Sequence, residues 1–319
     1  MESKNEVFVG IDVGKDTLAV NAGKQWSVAN TQKGVKKLIE SLQKISPTLV
    51  VVESTGGYEY VLMEALWGAG MPVSRVNPYR TKGFAQSLGI NAKTDPIDAG
   101  MLRRFAEQVR PDPTPPPSAE VRKIKPLIDR RTQLIAMVTQ EKNHLRAPLM
   151  EDIAKKSIRR ILKTLKEELV ELDALILATI ESSKELSLKA SVLRETVGVG
   201  PVLTMMLLGD MPELGTISRE RIGALAGVAP LNNQSGSFDG HRSIRGGRKQ
   251  VRTVLYMATV AAVRYNQNLK SFFLALVKRG KPKMVALVAS MRRLLIILNA
   301  SMRTLLESSS QGALPAIPA

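Results

Sequence analysis

Residues 7–20 read VFVGIDVGKDTLAV. Two apolar runs flank Gly14-Lys15, the pattern of a pair of strands joined by a short turn. Asp12 falls inside the first run, among Val9, Ile11 and Val13, where an acid is out of place. A carboxylate in a strand interior is costly unless it is paired or bound to a cation. Trp26 to Ala29 offers a third strand, and residues 32–45 put Val35, Leu38, Ile39 and Leu42 at helical spacing before Pro47. TLVVVEST, residues 48–55, then reads as a buried strand closing on Glu53. Residues 60–67 predict a helix ended by Gly68-Ala69-Gly70, 72–76 a short strand, and 80–88 and 96–109 two more helices. Leading strands with interleaved helices define an α/β domain on a mixed sheet.

PDPTPPP at 111–117 is stiff and extended and marks the clearest boundary. Beyond it, 118–195 is rich in Leu, Ile, Lys, Arg and Glu, with Leu162, Leu165, Leu169, Leu172 and Ile176 in a heptad-like seam. Pro148 divides this stretch, which predicts an antiparallel pair of long helices. The seam serves either a hairpin within one chain or a coiled coil between two chains. A third region, 196–319, is mostly helical. Gly198 and Gly200 precede an apolar helix in a turn like that of a helix-hairpin-helix, whose amides bind nucleic-acid backbone; glycines that merely let helices pack are the other reading. Residues 251–263 and 284–306 predict helices, the second with Arg292, Arg293 and Arg303 on its polar face. The tail after Ser308 is expected to lack structure.

Charge narrows the partners. The 46 Lys and Arg outnumber 29 Asp and Glu, a net +17 that points to nucleic acid or an anionic surface. From His241 onward there are 14 basic residues and a single acid, Glu307. Aromatic residues are only 4% of the chain, so phosphate contacts rather than stacking are expected to dominate. Cysteine is absent, which excludes disulfides and thiolate metal sites and fits a reducing cytoplasm. Apolar runs such as Leu294 to Leu298 are too short to span a bilayer, so no membrane partner is expected.

Two groups of residues carry possible chemistry. NNQSGSFDGHRSIRGGRKQVR at 232–252 sets Ser235, Ser237 and Ser243 among glycines and Arg242, Arg245, Arg248, Lys249 and Arg252. Glycine admits close backbone approach to an oxyanion, and arginine grips phosphate with a planar fork. The alternative is a solvated basic loop. In the first domain Asp12, Glu53, Asp95 and Asp98 all fall at element edges. Singly each has a bland explanation: Asp95 before Pro96 suits a helix N-cap, with Asp98 in the first turn. Together they suggest hard cations, since Mg²⁺ prefers carboxylate and phosphate oxygens and two ions can clamp a phosphoryl displacement.

With GIDVGKD, VVEST, TDPIDA, LAGVAPLNNQSG and IRGGRKQVR in this order, the chain resembles the DEDD-type insertion-sequence transposases, the bridge-RNA-guided serine recombinases, over nearly its whole length. The resemblance implies a RuvC-like, ribonuclease H-type α/β domain at 1–117, a helical coiled-coil middle at 118–195 and a C-terminal transposase domain at 196–319. It implies that Asp12, Glu53, Asp95 and Asp98 bind Mg²⁺ and that Ser235, in the family's SG motif, is the nucleophile. It implies a noncoding bridge RNA pairing with donor and target DNA, dimers joining into tetramers, and a bacterial, nucleoid-associated protein. Phe238-Asp239 departs from the pattern by placing an acid after the motif. Two other functions stay open at this point: a Holliday-junction-type nuclease using the acids alone, and a non-catalytic nucleic-acid scaffold.

Overall fold

The computed structural model describes residues 6–90, 94–148, 151–235 and 238–310, with the backbone alone at 233–235, 238, 239, 241 and 310. The chain divides into two compact units, Met1–Pro116 and Pro117–Ala319.

The first unit is built on five strands: β1 (Phe8–Val13), β2 (Thr17–Asn21), β3 (Gln25–Ala29), β4 (Leu49–Glu53) and β5 (Val73–Val76). Their order is β3-β2-β1-β4-β5. The first three pair antiparallel, and β4 and β5 extend the sheet parallel to β1. This is the ribonuclease H arrangement. The pleat sends alternate residues to opposite faces. Val9, Ile11, Val50 and Val52 pack under α1 (Gln32–Ile45) and α2 (Tyr60–Gly68). Phe8 and Val51 pack with Leu102 and Phe105 of α4 (Asp95–Val109), beside which lies α3 (Pro78–Ser87). The helix cap at the start of α4 is Thr94 and Asp95 is its first helical residue, so the helix begins one residue earlier than the sequence suggested and Asp95 is not its cap.

In the second unit α5 (Ala119–Leu145) and α6 (Asp152–Ser182) lie side by side. Leu162 and Leu165 of the seam are buried against Leu134 and Val138 of α5, with Leu169 and Leu172 alongside. The seam is therefore filled within one chain. The predicted second long helix stops at Ser182, because Ser183 accepts from the Leu186 amide and caps a new helix, α7 (Lys184–Arg194). α8 (Pro201–Asp210), α9 (Arg219–Leu225), α10 (Lys249–Tyr265), α11 (Gln267–Lys278) and α12 (Lys283–Ser310) complete the unit around one core shared with α5, α6 and α7. By length and composition α12 could cross a membrane, which corrects the expectation that every apolar run is too short. Its apolarity is used otherwise: Met291, Leu294, Leu298 and Met302 are buried in that core. Arg303, expected on the polar face, instead donates to the carbonyls of Gly215 and Ile217.

Between α9 and α10 runs a two-stranded antiparallel ribbon, β6 (Leu231–Ser235) and β7 (Phe238–Ser243), irregular between Leu231 and Asn233. The residue pattern predicts only a loop here. Asn232 to Ser235 carries no apolar alternation to announce a strand.

Candidate active site

The acids of the first unit are assembled by one missing side chain. A Cβ on Gly10 would stand 2.2 Å from the Ala99 carbonyl oxygen and 2.3 Å from the Arg103 nitrogen, so the backbone of α4 lies directly on β1. Asp12 follows Gly10 on the same face of the strand. Asp98 immediately precedes Ala99 in α4, and Asp95 lies in the same first turn. The parallel register Ile11↔Val52 brings Asp12 and Glu53 to neighbouring strand ends. Thus β1, β4 and the start of α4 supply all four predicted acids to one end of the sheet.

The electrostatics agree. The Asp12 carboxyl is pushed up to about 6, first by burial and then by the charges of Asp98, Asp95 and Glu53. A carboxyl in that position favours neutralisation, by a proton or by a cation. Among the described residues no three acids or histidines converge closely enough to hold an ion. The all-oxygen donor set nevertheless suits a hard divalent cation.

Two residues absent from the predicted set hold this edge in shape. Thr81 of α3, 1% exposed, donates its hydroxyl to Glu53 Oε2 at 2.7 Å. Glu59, 2% exposed, accepts from the Thr55 amide and hydroxyl and from the Gly57 amide, and pairs with Arg75 at 3.6 Å. It fixes the turn that follows Glu53. A glutamate closing Ser-Thr-Gly-Gly-Tyr was a readable signal; Thr81 gave none.

Gly10→Val therefore tests the assembly. The branched side chain must lift α4 off β1, since the obstacle is backbone. Overpacking of this kind costs at least about 1–3 kcal/mol. Differential scanning calorimetry should show a lowered melting temperature, and Mg²⁺-dependent activity should fall further than stability alone explains. An unchanged melting temperature would mean that α4 does not rest on Gly10.

In the second unit the predicted basic residues divide into two groups. Arg248 forms a two-pronged pair with Glu213, both contacts at 2.6 Å, and Arg252 donates to the carbonyls of Gly246 and Gly227. Both arginines, expected to grip phosphate, thus have partners within the unit. Arg242, Arg245 and Lys249 are exposed. Gly198, at φ 100°, presses on α10: a Cβ there would lie 2.5 Å from that of Ala262. It follows the packing reading, whereas Gly200 caps α8 with open space around it.

Ser235 ends β6 opposite Phe238, and Ser243 ends β7; Ser237 lies outside the described residues. The ribbon is followed by Gly246 and Gly247, both left-handed, and a Cβ on Gly247 would lie 2.2 Å from the Gly227 nitrogen. Gly247→Ala is expected to cost about 1–3 kcal/mol through strain and this clash. Chemical denaturation should show a lower midpoint; an unchanged midpoint would mean that this contact is dispensable.

Residues 9–153 match the DEDD-type IS110 transposase family, described as "Transposase", and 190–274 match the "Transposase IS116/IS110/IS902 family". The pilin gene-inverting protein of Moraxella bovis is 27% identical over 320 residues, 94% of this chain and 96% of the relative. That of Moraxella lacunata is also 27% identical, over 323 residues, with the same coverage. RuvC of T. thermophilus in complex with a Holliday junction is similar at 18% identity over 34% of this chain and 100% of that one, with a TM-score of 0.27. The protein is an enzyme acting on DNA, a transposase or recombinase. It belongs to the IS110 family of transposases.

Proposed function

We propose that the protein moves a mobile DNA element by strand cleavage and exchange through a covalent phosphoserine. Asp12, Glu53, Asp95 and Asp98 would hold Mg²⁺, which supplies charge neutralisation at the scissile phosphate. The Ser235 hydroxyl attacks phosphorus; an ester to the serine oxygen forms, one sugar oxygen leaves, and the hydroxyl proton passes to it. A hydroxyl of the incoming strand then attacks the phosphoserine, and Ser235 is released with its proton restored. The number of phosphoester bonds is conserved, so no ATP is needed. Arg242, Arg245 and Lys249 grip flanking phosphates, with Gly200 available to backbone. Thr81 and Glu59 act by positioning Glu53 and its turn.

The observation that carries this reading is the set of three acids, Glu53, Asp95 and Asp98, that act on a half-buried Asp12, in a chain whose relatives include gene-inverting proteins. A noncoding bridge RNA supplies target choice, consistent with a basic second unit. Dimers join into tetramers in which one protomer's acids serve another's serine. Incubation with DNA carrying the element's ends should give joined circles or inverted product with Mg²⁺ and none with EDTA. Nicked, unjoined DNA as the sole product would instead support hydrolysis by the acids alone.

A further inference from the structure

A cleft of about 1160 Å³ lies in the second unit between the β6–β7 ribbon and the α11–α12 pair. Its described lining includes Arg242, Lys281, Arg292 and Arg293 and no acid. The buried Nε of Arg292 has no hydrogen-bond partner in the protein. That atom is shut from solvent beside Gly223 of α9, so what Arg292 brings to the cleft is its guanidinium charge rather than this donor. The rest of the wall is of the opposite character. Met284 and Val285 are 58% and 51% exposed at the cleft although apolar. The Arg293 guanidinium lies over the Phe272 ring, 4.5 Å from its centre. Aromatic and guanidinium planes beside cations are what unpaired nucleotides require, since every base has a π face and every linkage a negative charge.

We propose that this cleft binds a short unpaired DNA strand, bases against Phe272, Met284 and Val285 and phosphates on the four cations. Duplex DNA is disfavoured because its bases are stacked away from such a wall, and the volume admits only a few nucleotides. The choice of DNA rests on the strand-exchange reading. The ribbon that walls the cleft through Gly240 and Arg242 also carries Ser235, two register pairs nearer the tip, about 7 Å along the strands. A strand severed at Ser235 would thus have an adjacent cradle that keeps it from diffusing away before rejoining.

The test uses the full-length Ser235→Ala protein without Mg²⁺, so that binding is read apart from any cleavage. Fluorescence anisotropy would follow labelled twelve-nucleotide oligo-dT and a duplex of equal length, with oligo-rU as competitor. Met284→Glu, Arg293→Ala and Phe272→Leu are each expected to weaken oligo-dT binding by about five- to tenfold or more and duplex binding by less than about twofold. Met284 and Arg293 are exposed, so those two variants should keep the wild-type melting temperature and decide the matter if Phe272→Leu does not fold. Wild-type oligo-dT affinity in both exposed variants, or equal losses for duplex, would overturn the proposal. So would a tenfold preference for oligo-rU, which would make the cleft an RNA site, or displacement of oligo-dT by an acidic peptide at equal concentration. Retained single-strand binding with no strand exchange in the wild type would leave the cleft standing and remove only its place in the reaction.

Discussion

Ser235→Ala is expected to abolish joined products while DNA binding survives. Removing a nucleophile that forms the covalent intermediate typically costs about 10⁴-fold or more, because no neighbouring group can take its place in the geometry. The backbone at Ser235 is fixed by its pairing with Phe238 near the ribbon tip. Ser243 sits at the opposite end of β7, paired with Leu231, and Ser243→Ala should keep activity within about threefold. Ser237 is the sharper control, since it is only two residues from Ser235 in sequence. Assays of circle formation under identical Mg²⁺ should separate the three variants. Full activity in Ser235→Ala, with loss in Ser237→Ala, would transfer the nucleophile's role to the neighbour.

Asp12→Asn should lose at least about 10³-fold in strand cleavage, because the substituted amide no longer supplies a charged oxygen to a cation at the phosphate. It should also stabilise the protein when no divalent ion is present. The folded-state carboxyl titrates near 6, above its ordinary 3.8, so the folded protein binds this proton more tightly than the unfolded chain does. The contribution of this group is complete below the ordinary value and is lost as pH rises through about 6. Asparagine carries no charge to lose. In EDTA the variant's melting temperature should therefore exceed the wild type's most clearly at pH 7.5, and the gap should close toward pH 4. Mg²⁺ should raise the wild-type melting temperature and leave the variant unmoved. A variant less stable than wild type at pH 7.5 would contradict the crowding of charge around Asp12.

Much of this was legible from residue pattern. Val7 to Val20 announced the hairpin because strands buried on both faces read as near-continuous apolar runs broken at the turn, and Asp12 stood out by interrupting one of them. The proline-rich stretch 111–117 contains Pro116, the last residue of the first compact unit. What could not be read depends on contacts distant in sequence. Gly10 looked like one more strand residue, yet it is the position at which α4 meets the sheet. Thr81 supports Glu53 across 28 residues, and Glu213 claims Arg248 across 35. No local rule predicts which arginine of a basic run will be spent inside the fold. The β6–β7 ribbon was hidden for a different reason: its polar strands lack the alternation that a buried face imposes.

The most direct measurement is to trap the reaction with Mg²⁺ and element-end DNA, digest the protein and sequence any peptide that retains a nucleotide. A single adduct on Ser235, absent in Ser235→Ala and in Asp12→Asn, is the predicted result. Cleaved DNA with no protein-linked nucleotide, or an adduct on any other residue, would contradict it.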